Sequence, residues 1–178
     1  HREKNYNESS KYLVLANTLK LELNPSNSDA LMTKSRELLI ESDKEILNIK
    51  EYKNSPEAIF IVGMPRSGST LVESILSMKT NVNDLGETNI LEESFLESKK
   101  NNQELDLTKL YWQKSNNQKN IFRITTNKNL YNYQYVGIIA NQIPNAKIIH
   151  CYRNPLDNIL SIYRTNFSTG LEYFSSLV

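Results

Sequence analysis

Ala58-Ile59-Phe60-Ile61-Val62-Gly63-Met64-Pro65-Arg66-Ser67-Gly68-Ser69-Thr70 is the stretch on which the fold turns. It opens with five consecutive apolar residues rich in β-branched side chains, the pattern of a strand buried on both faces of a parallel sheet. A helix is predicted over Ser69 to Met78, so the residues between form a strand-to-helix turn. Such a turn aims unpaired backbone N–H groups and the positive end of a helix dipole at one point. Ser67, Ser69 and Thr70 add hydroxyl donors, and Arg66 adds a forked cation suited to phosphate oxygens. Gly63 and Gly68 let the backbone approach a ligand closely. A plain capped turn needs neither an arginine nor three hydroxyls in so short a span. The stretch reads as a phosphate-binding loop.

Upstream, residues 1 to about 50 contain no glycine and read as helical. Tyr6, Tyr12, Leu13, Leu15, Ala16 and Leu19 recur at helix-like intervals, with Asn7 or Ser9 as the cap. Asn24-Pro25-Ser26-Asn27 breaks the pattern, because the residue before a proline is pushed out of the helical region. A second helix is predicted from Ser28 to Ile49, and the polar stretch Glu51 to Glu57, containing Pro56, reads as a linker. The expected division is a helical segment over residues 1–52 and an α/β core over 53–178.

Downstream, a short strand is predicted at Val82 to Leu85, a helix from Asn89 to Lys100 and a solvated loop at Lys99 to Gln103. Next come a short helix at Leu107 to Lys114, a weak strand at Ile121 to Thr125 and a helix from Tyr131 to Gln142. Lys147-Ile148-Ile149-His150-Cys151-Tyr152 reads as a second buried strand, in which His150 and Cys151 are core residues. The chain then turns at Arg153-Asn154-Pro155 into a helix through about Arg164, with Asn154 as cap and Pro155 at the first helical position. Strands alternating with helices imply an α/β fold: a parallel sheet with helices on both faces.

Bulk composition narrows the partners. Twenty-one Lys+Arg against twenty Asp+Glu give a net charge of +1 in 178 residues, which offers no basic field for nucleic acid or a membrane surface. A bound anion must be held by local geometry. The single cysteine cannot form an internal disulfide, no Cys/His spacing suggests zinc, and no apolar run is long enough to span a bilayer. With no secretory signal in view, a cytoplasmic location is the expectation.

The identity of the phosphate compound is the sharper question. A nucleoside-triphosphatase loop would place lysine before its last hydroxyl residue, where this chain has Ser69. An ATP-binding kinase or NTPase is therefore disfavoured. The segment Ile59 to Leu76, with Pro65-Arg66-Ser67-Gly68-Ser69-Thr70 at its centre, resembles the sulfotransferases that use 3′-phosphoadenosine 5′-phosphosulfate (PAPS). It is most similar to the bacterial tetratricopeptide-repeat and the tyrosylprotein sulfotransferases. The resemblance implies a P-loop-like fold in which Pro65 to Thr70 hold the 5′-phosphosulfate. PAPS is the implied co-substrate, PAP (3′-phosphoadenosine 5′-phosphate) the product and a hydroxyl compound the acceptor, with no metal required.

The same resemblance supplies the remaining site. The family holds the 3′-phosphate with an arginine at a strand end and a serine eight residues later, matched here by Arg153 and Ser161. Its tyrosylprotein members use a glutamate base 21 residues beyond the loop arginine, an interval that leads from Arg66 to Glu87. Lys128, in Thr126-Asn127-Lys128-Asn129-Leu130, matches the lysine that stabilises charge on the leaving phosphate, with Asn127 and Leu130 standing where the family has aspartate and proline. Residues 5–17 are similar to the last helix of a tetratricopeptide array, which implies protein contacts through the N-terminal helices. It also implies a longer parent protein, with this chain cut short at Val178 before the segments that close over adenine and acceptor. Two rival readings remain at this stage: an altered kinase or NTPase, and a non-catalytic helical-repeat interaction protein.

Overall fold

The computed structural model describes residues 5–44, 56–100, 106–115, 123–165 and 167. Its centre is β1, Glu57–Gly63, which pairs in parallel with β3 (Ile124–Asn127) on one side and β4 (Ala146–Cys151) on the other. β2, Val82–Asp84, pairs in parallel with β3, so the strand order is β2-β3-β1-β4. All four carboxyl ends therefore lie along one edge of the sheet.

The apolar run of β1 feeds two faces by simple alternation. Ala58 and Phe60 enter a core with Leu91, Phe95, Leu107, Tyr111, Tyr135, Ile138 and Ile139. Ile59 and Ile61 point to the other face, against Cys151, Val72 and Leu76. Phe60 and Ile61 are fully buried, and burial of such side chains contributes about 1.5–3 kcal/mol each. The covering helices are α3 (Ser69–Leu76), α4 (Ile90–Lys100), α5 (Leu107–Lys114) and α6 (Val136–Gln142). Asp106 caps α5 by accepting from the Thr108 N–H.

Two helices precede β1, α1 (Tyr6–Leu23) and α2 (Ser28–Lys44), and α7 (Pro155–Tyr163) follows β4. The chain divides into two compact units, Lys34–Tyr152 and His1–Thr33 with Arg153–Val178. Within the first, the second half of α2 is part of the core structure. Leu38 enters the main apolar cluster, Lys34 pairs with Glu92 and Glu41 with Lys99, and Gln134 donates to the Ser35 hydroxyl at 2.8 Å. Within the second, Asn17 of α1 is buried and donates to the carbonyls of Leu13 and Tyr163, each at 3.1 Å, tying α1 to α7.

Several local expectations need correction. Asn5, and neither Asn7 nor Ser9, caps α1, its side chain accepting from the Glu8 N–H at 3.3 Å. Residues Leu130–Tyr135 form a 3-10 turn before α6, where one continuous helix over 131–142 was predicted. Asn129 caps that turn by accepting from Tyr131 N–H, and Tyr135 is buried while Tyr133 is exposed. Among the described residues β4 is an edge strand, and only its Cys151 end is buried; His150 is exposed, where a core histidine was expected. The expected linker at 51–55, the α2 continuation to Ile49, the loop at 101–103 and the start of the strand at 121–122 lie outside the described residues. No helix among the described residues is long and apolar enough to cross a membrane.

Candidate functional site

The turn between β1 and α3 is held in a conformation that few sequences tolerate. Gly63 has φ 141°, and a Cβ there would lie 2.3 Å from the Cys151 carbonyl oxygen. Only glycine lets the ends of β1 and β4 approach so closely. Arg66 (φ 66°) and Gly68 (φ 99°) both adopt left-handed backbone, a conformation that an arginine accepts only where its surroundings enforce it. Met64 accepts from the Ser67 N–H at 3.3 Å, and Gly68 stands at the N-cap of α3 without a side-chain cap. The dipole end of α3 is thus left open toward the loop. The Arg66 and Thr70 side chains are exposed, whereas Ser69 is buried.

Ser67 is the residue of this loop with an unsatisfied buried polar atom. Its hydroxyl oxygen is buried and has no hydrogen-bond partner. Orphaned buried hydroxyls are uncommon because each costs about 1–3 kcal/mol. A loop that encloses one while presenting a helix N-terminus is shaped for an anion.

Lys128 comes to the same loop from β3. Its side chain is nearly buried, and Nζ reaches the Thr70 hydroxyl at 3.5 Å and pairs with the Glu87 carboxylate. The Glu87 side chain is 70% exposed, so its carboxylate faces solvent while the Lys128 side chain is buried. The backbone sets this pairing: Lys128 N–H donates to the Gly86 carbonyl at 2.9 Å, and Leu85 N–H donates to Thr126 O at 3.0 Å. Asn127, fully buried, accepts from Asn129 N–H at 3.1 Å and Asn132 Nδ2 at 2.9 Å, and donates to the Thr88 hydroxyl at 3.4 Å. Asn129 donates to Thr88 O and Asn89 Oδ1. An amide network therefore fastens the Lys128 segment to the Glu87 segment.

One charged residue of the site was not singled out from sequence. Glu73 lies one turn along α3 from Ser69, on the same buried face. Its Oε2 is 3.8 Å from Lys128 Nζ, and its Oε1 is buried without a hydrogen-bond partner. Burial, and then the neighbouring Asp84 carboxyl, push the Glu73 pKa up to about 7. Asp84 is itself held by the Ser77 hydroxyl at 3.0 Å and the Gly86 N–H at 2.9 Å. The available signal was a lone charge inside Leu71-Val72-Glu73-Ser74-Ile75-Leu76, four residues after Ser69.

Arg153 and Ser161 occur elsewhere in the chain's organisation. Arg153 lies in the turn after β4, next to Asn154, whose side chain caps α7 by accepting from the N–H groups of Leu156 and Asp157. Ser161 lies within α7, half-buried. Both belong to the unit that also contains α1. Among the described residues, no group of three or more His, Cys, Asp or Glu side chains is arranged to hold a metal ion.

Parallel sheet, glycine-shaped loop and buried lysine together define an α/β protein whose candidate site lies at the carboxyl edge of its strands. The chain belongs to the sulfotransferase family: the sulfotransferase domain matches residues 56–176, a span that includes every element from β1 to α7. It is also 30% identical over 189 residues to an uncharacterized protein of Aquifex aeolicus (strain VF5), a match covering 94% of this chain. The chain spans only 25% of that relative's length. No solved structure matches it significantly.

Proposed function

We propose that the chain carries the donor half of a PAPS-dependent sulfotransferase, which transfers a sulfuryl group in line from the 5′-phosphate to an acceptor hydroxyl. Pro65, Arg66, Ser67, Gly68, Ser69 and Thr70 hold the 5′-phosphosulfate. The observation that carries this reading is the buried, unpartnered Ser67 hydroxyl inside a loop whose helix end is open. The missing lysine at position 69 argues against an ATP-hydrolysing loop.

In this reading the acceptor O–H bond breaks as its oxygen attacks sulfur, and the Glu87 carboxylate takes the proton. The bond from sulfur to the bridging phosphate oxygen breaks at the same time, leaving its electron pair on that oxygen. Lys128 and Arg66 stabilise the charge that develops there. The Lys128–Glu87 ion pair supports the assignment in an unexpected way. Each proposed catalytic group neutralises the other until a donor phosphate takes the ammonium and leaves the carboxylate as a base. Arg153, beside a helix N-terminus, and Ser161 bind the 3′-phosphate; their order and spacing in the sequence support this role.

Transfer of labelled sulfate from PAPS to phenolic, peptide and carbohydrate hydroxyls tests the activity. Arg153→Ala should weaken PAP binding at least tenfold while barely changing that of adenosine 5′-phosphosulfate, which lacks the 3′-phosphate. Equal weakening of both would remove Arg153 from that phosphate.

A further inference from the structure

Glu73 is not used by the transfer chemistry just described, yet it is the most costly charge in the site. It is buried on α3, one oxygen has no partner, and the other faces the Lys128 ammonium at 3.8 Å. The charged groups acting on it are Asp84 at the end of β2, Glu87 in the following turn and Lys128 after β3. Glu73 and Glu87 thus share one ammonium, with the Asp84 carboxyl acting on Glu73 as a third negative group. Such an arrangement cannot hold three full negative charges cheaply, and the deepest carboxyl is the one that carries a proton most readily.

We propose that Glu73 is a proton-linked positioning residue for Lys128: it takes up a proton from solvent as an anionic nucleotide phosphate enters the 66–70 loop, which turns the whole ammonium charge toward that phosphate. The proposal rests on the reading that this loop holds the donor's 5′-phosphate. Entry of a phosphate beside Thr70 and Lys128 brings new negative charge to the side of Glu73 that the ammonium had screened. Protonation of Glu73 then removes the repulsion and lets the acid donate toward Asp84, satisfying the orphaned oxygen. One proton leaves bulk water, one O–H bond forms on Glu73, and no other bond changes.

Calorimetric titration of PAP into the full chain, in buffers of differing ionisation heat, measures the protons exchanged on binding without needing the acceptor. At about pH 7.5 the nucleotide phosphates, with second pKa near 6, are already ionised, so uptake reports protein groups. The expected result is uptake of about half a proton per PAP bound, lost in Glu73→Gln with PAP affinity changed less than about threefold. Should that variant fail to fold, the parent alone remains decisive: uptake should peak between about pH 7 and 8 and decline by about pH 9.5. Binding with no uptake, or uptake unchanged in Glu73→Gln, overturns the inference while leaving the donor assignment intact. Failure of the parent to bind PAP at all overturns both.

Discussion

The site has two sides that the chain builds in opposite ways. The loop from Gly63 to Thr70 is made mostly of backbone: two glycines and an arginine at positive φ, an open helix end and small hydroxyls, all contributed by eight consecutive residues. The Glu73–Asp84–Glu87–Lys128 cluster is made of charged side chains drawn from α3, the end of β2, the turn after it and the end of β3. The first depends on local conformation, the second on tertiary placement. Substitutions on the second side should alter turnover and protonation more than affinity, and those in the loop should alter both.

The largest effect should come from Glu87→Gln. Loss of the base should reduce transfer by about 10²–10⁴-fold, with PAP affinity equal to or tighter than the parent because Lys128 loses its competing partner. Loss of PAP binding in this variant would assign Glu87 to structure. Arg66→Ala should reduce turnover by about 10²–10³-fold and weaken PAP as well; unchanged turnover would take Arg66 out of the transition state. Gly63→Ala should destabilise the chain by several kcal/mol, on the order of the severe overpacking cases, because its Cβ meets the Cys151 carbonyl. A melting temperature equal to the parent's would show that β1 and β4 can separate at that end.

The smallest effect is the pH dependence of stability through Glu73. Its folded pKa of about 7 lies above the ordinary 4.5. The folded state thus gains stability from protonated Glu73 that is complete below about pH 4.5 and lost as pH rises through about 7. Glu73→Gln, always neutral, should therefore gain melting temperature over the parent between about pH 5 and pH 8. A gap that stays constant across that range would mean that Glu73 does not titrate there.

The same contrast explains what could be read from sequence. The parallel α/β fold, β1, the loop and the Asn154-Pro155 start of α7 were legible because each is set by neighbouring residues: an apolar run, a glycine or a cap. Lys128 and Glu87 were reached by family resemblance, and the structure brings them into contact. Glu73 was not legible, since its burial depends on which face of α3 meets the sheet, a fact of packing. β4 shows the same limit. Its apolar run looks like that of β1, yet its edge position leaves Ile148 and His150 exposed. A run of apolar residues specifies a strand and leaves its rank in the sheet to the other strands.

On the proposed reading, the 66–70 loop takes a sulfated or phosphorylated adenosine lacking a triphosphate. Parallel titrations of PAP and of ATP with Mg²⁺ into the same chain test it most directly. The expected result is saturable PAP binding that ATP with Mg²⁺ displaces at least about a hundredfold less effectively, a difference of ~2.7 kcal/mol. Tight, Mg²⁺-dependent ATP binding with no measurable affinity for PAP would contradict it.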